Sequence, residues 1–258
     1  MPHFVNNSHS LHYEIHGEGR PVVLLHGITV SFAGNYAAWG WVERLRARGL
    51  QVIGLDFRGH GGSDKPRDSS AYGTEALAGD VTRLMDHLGI ERTSLIGYSL
   101  GSKIALHLLH TAPRRFDRSV LIATGDGLIG LPPYTSDEVL PRIAEAVGRP
   151  AFPAELPEHV ATYWTFATKV GGDRDAAAAC ARASYPPCAL ETVATISVPV
   201  LVVSGERDPV LGRGPRLAQA LRQGRYVEIA GADHFQLAGH EEAQRAAEFL
   251  AEAEGAMR

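Results

Sequence analysis

Residues 93–110 read TSLIGYSLGSKIALHLLH, and this stretch decides the fold. Thr93 to Gly97 is a short, mostly apolar run, the pattern of a strand covered on both faces. Leu100 to Thr111 carries an apolar helical pattern, with Pro113 just beyond its end. Between them lies Gly97-Tyr98-Ser99-Leu100-Gly101. A G-x-S-x-G match alone is weak, but a strand before it and a helix after it supply the context that a nucleophile elbow requires. The turn is sharp, and its glycines relieve crowding where strand and helix pass closely. Ser99 is thereby thrust out at the carboxyl edge of a sheet.

Working outward, the chain alternates strands and helices. Leu11–His16, Pro21–Leu25, Gln51–Leu55, Ser119–Ala123, Val198–Ser204 and Arg225–Ile229 read as further strands. Thr74–Leu88 places Leu77, Val81, Leu84, Met85 and Leu88 on one helical face. Leu217–Leu221 and His240–Ala253 read as later helices. Alternation of this kind implies an α/β fold, a mostly parallel, doubly wound sheet with helices on both faces. Residues 126–195 break the pattern. They contain Pro132-Pro133, Pro141, Pro150, Pro153, Pro157 and Pro186-Pro187 between short helical patterns at Ser136–Val147, Pro157–Val170 and Asp173–Ser184. The expectation is one structural domain, with a core formed by 1–125 and 196–258 and a small helical cap at 126–195.

Composition narrows the function. Apolar residues make up 45% and charged residues 21%, and the net charge of −4 comes from signs mixed along the chain. No basic stripe suits nucleic acid or an anionic membrane surface, so a small-molecule partner is expected. Cys180 and Cys188 are too few for a disulfide framework and lie in no redox or zinc motif. The polar start of the chain lacks the apolar core of a signal peptide, and no run approaches the length of a membrane span; a cytoplasmic location is the expectation.

A serine hydroxyl needs a base. Of twelve histidines, His234 stands in a loop after the late strand RYVEI, the right end of a strand to meet Ser99. His26 and His60 read as loop scaffolding, and His107 and His110 as helix positions. Two acids compete to orient the base. Asp208 follows the strand VPVLVVS in a tight turn and is favoured, because that strand should neighbour the one feeding His234; Asp126 follows SVLIA and is the alternative. Either satisfies the chain order serine, acid, histidine. Asp233, adjacent to the histidine, reads as a loop cap. His26-Gly27 directly follows PVVLL, so the backbone amides of Ile28 and Leu100 are the expected oxyanion donors.

With these residues assembled, the chain resembles the α/β-hydrolase superfamily from about residue 11 to 125 and 195 to 250. The resemblance rests on His26-Gly27, the Asp56–Asp64 stretch DFRGHGGSD, the elbow, Gly205–Asp208 and Asp233-His234-Phe235. It implies that Asp56–Asp64 braces the active-site floor and that the cap selects the substrate. Ile28-Thr29 stands where epoxide hydrolases and dehalogenases carry x-Pro, and those enzymes place aspartate at the elbow. Ser102 stands where many relatives have a second glycine. Among the cap aromatics, Tyr134, Tyr163, Trp164 and Phe166 are the candidate pocket residues, with Phe152 and Tyr185 beside them. Tyr36 to Trp41 either joins them or packs as helix core.

The expected function is hydrolysis of a small-molecule carboxylic ester, lactone or thioester through an acyl-enzyme, needing no metal or organic cofactor. The rivals are the same triad acting on another bond, by C–C cleavage, amide hydrolysis or perhydrolysis, and a ligand receptor retaining a slow triad.

Overall fold

The computed structural model describes residues 2–131 and 136–251. Strands β1 (His3–Asn6), β2 (His9–His16), β3 (Arg20–Leu25), β4 (Leu50–Leu55), β5 (Thr93–Tyr98), β6 (Phe116–Ile122), β7 (Val200–Gly205) and β8 (Gly224–Ile229) form a single sheet in the order β1-β2-β4-β3-β5-β6-β7-β8. The β1/β2 and β2/β4 pairs are antiparallel, and all pairs from β4 onward are parallel. The sheet is thus mostly parallel, as the alternation required. Strand β1 was not expected, because HFVN carries too little apolar signal. It pairs with β2 in register from His3 opposite His12 to Asn6 opposite His9.

The central strands are buried on both faces, and successive residues feed opposite cores. Val23, Leu25, Leu95, Leu121 and Val202 join one apolar cluster, while Val22, Leu24, Ile96, Val120 and Val203 join the other. This is the two-residue period of a strand. Helices α1 (Phe32–Asn35) and α2 (Trp41–Arg46) precede β4; α3 (Thr74–His87) and α4 (Leu100–Thr111) flank β5. Leu77, Val81 and Leu84 of α3, with Ile104 and Leu108 of α4, cover the first face. Val42 and Leu45 of α2 cover the second. Each fully buried side chain of this size contributes about 1.5–3 kcal/mol, so two filled faces hold the sheet edge rigid.

Between β6 and β7 the chain makes α5 (Ser136–Gly148), α6 (Glu158–Phe166), α7 (Arg174–Arg182) and the short α8 (Leu190–Val193). After α6 the helix widens through a π turn over Ala167–Gly171. Ile143, Val147, Tyr163, Ala177 and Cys180 from this insertion pack into the first core cluster. Helix α9 (Pro215–Ala220) joins β7 to β8. The C-terminal run, expected as one helix, is split into α10 (Glu241–Gln244) and α11 (Ala246–Ala251). No helix among the described residues is long and apolar enough to cross a membrane.

Candidate active site

Strand β5 enters α4 through Ser99, whose backbone lies at φ 52°, ψ −110°. A non-glycine residue in this region is strained, and such strain persists only where the surroundings fix it. The fixing is local. Ser99 N donates to Ile122 O at 2.9 Å. A Cβ at Gly101 would lie 1.9 Å from Leu25 O, and one at Gly97 would lie 2.5 Å from Gly101 O. Only glycine permits helix α4 to approach β3 and β5 so closely. Ser102 also works here: its hydroxyl lies 2.8 Å from Gly97 O and 2.9 Å from Ile122 O, bridging the elbow to β6.

His234 Nε2 stands 3.0 Å from Ser99 Oγ, and its Nδ1 stands 2.7 Å from Asp208 Oδ2. A carboxylate only accepts, so Nδ1 carries the proton and Nε2 is left to accept from the serine hydroxyl. The other oxygen, Asp208 Oδ1, accepts from Val210 N at 2.7 Å and Leu211 N at 3.0 Å. The Asp208 carboxylate is therefore held at both oxygens. All three side chains are buried. Tyr98, the first variable residue of the Gly97–Gly101 turn, donates its hydroxyl to His234 O at 2.5 Å and so holds the loop that carries His234. Sequence reasoning passed over Tyr98. It is the first variable position of Gly97-Tyr98-Ser99-Leu100-Gly101, with nothing in its spacing to mark a partner 136 residues away.

Asp126 lies elsewhere. Its Oδ1 accepts from Leu217 N at 2.9 Å, tying the end of β6 to α9 rather than meeting the histidine. Asp233 caps its own loop, accepting from Phe235 N and Gln236 N at 2.9 and 3.0 Å.

The loop after β3 is built by side chains from the Asp56–Asp64 stretch. Phe32 N donates to Asp56 Oδ1 at 2.8 Å, and Thr29 N donates to His60 Nε2 at 3.1 Å. His26 Nε2 accepts from Phe57 N at 3.0 Å, and Gly27 N donates to Asn35 Oδ1 at 2.8 Å. Burial holds the His26 imidazole below its usual range and that of His60 down to about 3. Both rings are neutral, and only a neutral ring offers an accepting nitrogen to a backbone amide. Thr29 sits at φ 67°, fixed by this bond. Among the described residues, the amides of Ile28 and Leu100 donate to no protein acceptor. Ile28 and Leu100 both line a cavity that reaches Ser99.

Two cavities meet at Ser99. The larger, about 430 Å³, is lined by Trp39, Tyr98, Phe166, Val170, His234 and Phe235 among others. The smaller, about 30 Å³, runs under α5 past Leu128, Leu140 and Ile143. Ile28, Ser99 and Tyr163 border both. Tyr163 packs edge-on against Phe235 with ring centroids 5.3 Å apart, and Phe166 does so at 5.6 Å. Of the expected pocket residues, Tyr163 and Phe166 stand in the wall of the larger cavity.

Trp164 requires a correction: it lines neither cavity that reaches Ser99. One residue further along a helix turns 100° away from Tyr163. Its Nε1 donates to Arg149 O at 2.9 Å, and its ring meets Phe152 edge-on and the Arg174 guanidinium face-on. It binds the insertion's own helices together. Phe152 and Tyr185 likewise line neither cavity, and Tyr134 lies outside the described residues. Of the Tyr36–Trp41 stretch, Tyr36 and Trp41 are core, while Trp39, half exposed, stands in the wall of the larger cavity.

Residues 20–153 match the model of the alpha/beta hydrolase fold family. The chain belongs to that family. An uncharacterized protein of Mycobacterium tuberculosis is 35% identical over 113 residues, a match that spans 44% of this chain but only 31% of that protein. A protein of Synechocystis sp. provisionally named a non-heme chloroperoxidase is 28% identical over 250 residues, covering 87% of this chain and 88% of its own. Among solved structures, the enol-lactonase of Burkholderia xenovorans superposes with a TM-score of 0.74 at 28% identity, covering 96% of this chain and 97% of the other.

Proposed function

We propose that the chain is a serine hydrolase of small carboxylic esters, cyclic esters included, working through an acyl-enzyme. The observation that carries the reading is the hydrogen-bonded series Ser99–His234–Asp208, with 3.0 and 2.7 Å separations, beside two amides that donate to nothing among the described residues.

In this reading His234 Nε2 takes the proton of Ser99 as Oγ attacks the carbonyl carbon. The tetrahedral oxyanion accepts from Ile28 N and Leu100 N, and Asp208 stabilises the imidazolium without itself taking the proton. The imidazolium then protonates the leaving oxygen as the C–O bond breaks. A water, deprotonated by the same nitrogen, releases the acid and restores the serine. Donors already aimed at the developing charge cost no reorganisation, and one such donor is worth about 100- to 1000-fold in rate. The likeness to an enol-lactonase supports a carbonyl–oxygen bond as the target. Helices α5–α7 act in this reading as a cap whose inner walls choose the substrate.

Turnover of p-nitrophenyl acetate, a lactone and an acyl thioester, compared between the wild type and Ser99→Ala, tests the reading. Hydrolysis by the wild type that is absent in the variant is expected. Equal activity in both would overturn it.

A further inference from the structure

The two cavities that meet at Ser99 are unequal, and only the larger one touches the base. His234 lines the space of about 430 Å³ and has no part in the wall of the space of about 30 Å³. Resting on the hydrolase reading above, we infer that this site takes esters with a short acyl group and a bulky apolar alcohol, the alcohol lying in the larger cavity.

The chemistry fixes the orientation. In acylation the histidine hands its proton to the leaving oxygen, so the alcohol must leave from the side where Nε2 stands. The carbonyl oxygen faces Ile28 N and Leu100 N, and the acyl chain is left with the remaining direction, under α5. A cavity needs about 10–15 Å³ to hold one water. The smaller space therefore admits about two water-sized groups, the size of an acetyl or propionyl chain. Its floor and roof are Leu128, Val139, Leu140 and Ile143, supplied by the chain after β6 and by α5. The charged side chain in its wall, Lys103, donates to Pro186 O at 2.5 Å.

The alcohol side is built differently. Trp39 is 52% exposed and Val170 40% exposed, and both line the larger cavity, which makes its rim apolar. Such a rim suits an alkyl or aryl leaving group that extends towards solvent. Tyr163 borders both spaces and is 3% exposed, and its hydroxyl has no partner among the described residues. As the wall between them, it stops a long acyl chain from turning into the larger cavity. For a cyclic ester the same walls favour a substituent on the carbinol carbon over one next to the carbonyl.

Octyl acetate and ethyl octanoate are isomers of equal size and nearly equal polarity, differing in which side of the ester is long. The expected result is a kcat/KM at least about 100-fold higher for octyl acetate, since a misplaced chain forfeits several pocket contacts each worth about tenfold or more. Leu140→Ala, which opens the smaller cavity, should narrow that ratio by about tenfold or more by improving ethyl octanoate. Equal or reversed rates would overturn the inference, as would failure on both isomers by a protein that turns over p-nitrophenyl acetate. Loss of p-nitrophenyl acetate hydrolysis itself would instead overturn the underlying hydrolase reading, and the inference with it.

Discussion

The carboxyl edge of the sheet and the insertion between β6 and β7 meet at Ser99 but are held in different ways. At the sheet edge, almost every functional group is fixed by a second, named group: Asp208 by two amides, the His234 loop by Tyr98, the β3 loop by His60 and Asp56. In the insertion, Tyr163 and Phe166 reach the site mainly through ring packing on Phe235. Directional bonds set atoms to within tenths of an ångström, whereas apolar packing sets volume and tolerates exchange. The difference is what the proposed division of labour requires, with chemistry at the first region and selection at the second.

Exchanging the two acids breaks this comparison most sharply. Asp208→Asn should lower turnover by about 10⁴, the loss seen when a triad acid can no longer hold the base in the right tautomer. Asp126→Asn keeps an oxygen to accept from Leu217 N and removes only a charge beside α9, so it should leave turnover within about tenfold, the scale of one hydrogen bond. Steady-state rates on p-nitrophenyl acetate, with circular dichroism to check folding, give the answer. A reversed order would move the acid to the end of β6.

Two aromatic substitutions sharpen the contrast inside the insertion. Trp164→Ala should lower stability by about 2 kcal/mol, a fall in Tm of roughly 4–8 °C, and reduce short- and long-alcohol esters in proportion. Phe166→Ala should instead cost long-alcohol esters about tenfold relative to p-nitrophenyl acetate. Thermal melts and kcat/KM ratios separate the two. A changed ratio in Trp164→Ala would return that residue to the pocket.

A further prediction concerns acid stability at the sheet edge. His60 is neutral and buried, with its imidazole at about 3 rather than near 6.5. Below 6.5 the unfolded chain binds a proton at this position that the folded chain refuses, so the contribution is lost as pH falls from about 6.5 towards 3. In His60→Gln, urea unfolding should show a shallower loss of stability across that window. An unchanged slope would mean that the ring is not held neutral.

The sheet, the elbow and the three candidate catalytic side chains were legible because each is written locally. Ser99 lies between a strand and a helix, and Asp208 and His234 each follow a strand end. What escaped depends on helical phase and on distant partners. Tyr163, Phe166 and Val170 recur three and four residues apart, which was the available sign that Trp164 points elsewhere. Trp39 lines the larger cavity from a 3-10 turn, Ala37–Trp39, whose orientation no periodicity reports. Strand β1 escaped because it lies at the sheet edge beside β2, where little apolar surface is needed.

Covalent labelling tests, without knowledge of the substrate, whether Ser99 is a nucleophile activated by His234. The protein should react with a fluorophosphonate at one site, and peptide mass spectrometry should locate the adduct on Ser99. His234→Ala should react far more slowly, and Ser99→Ala should not react at all. An adduct on another serine, or equal labelling of Ser99→Ala, would mean that Ser99 is not the nucleophile.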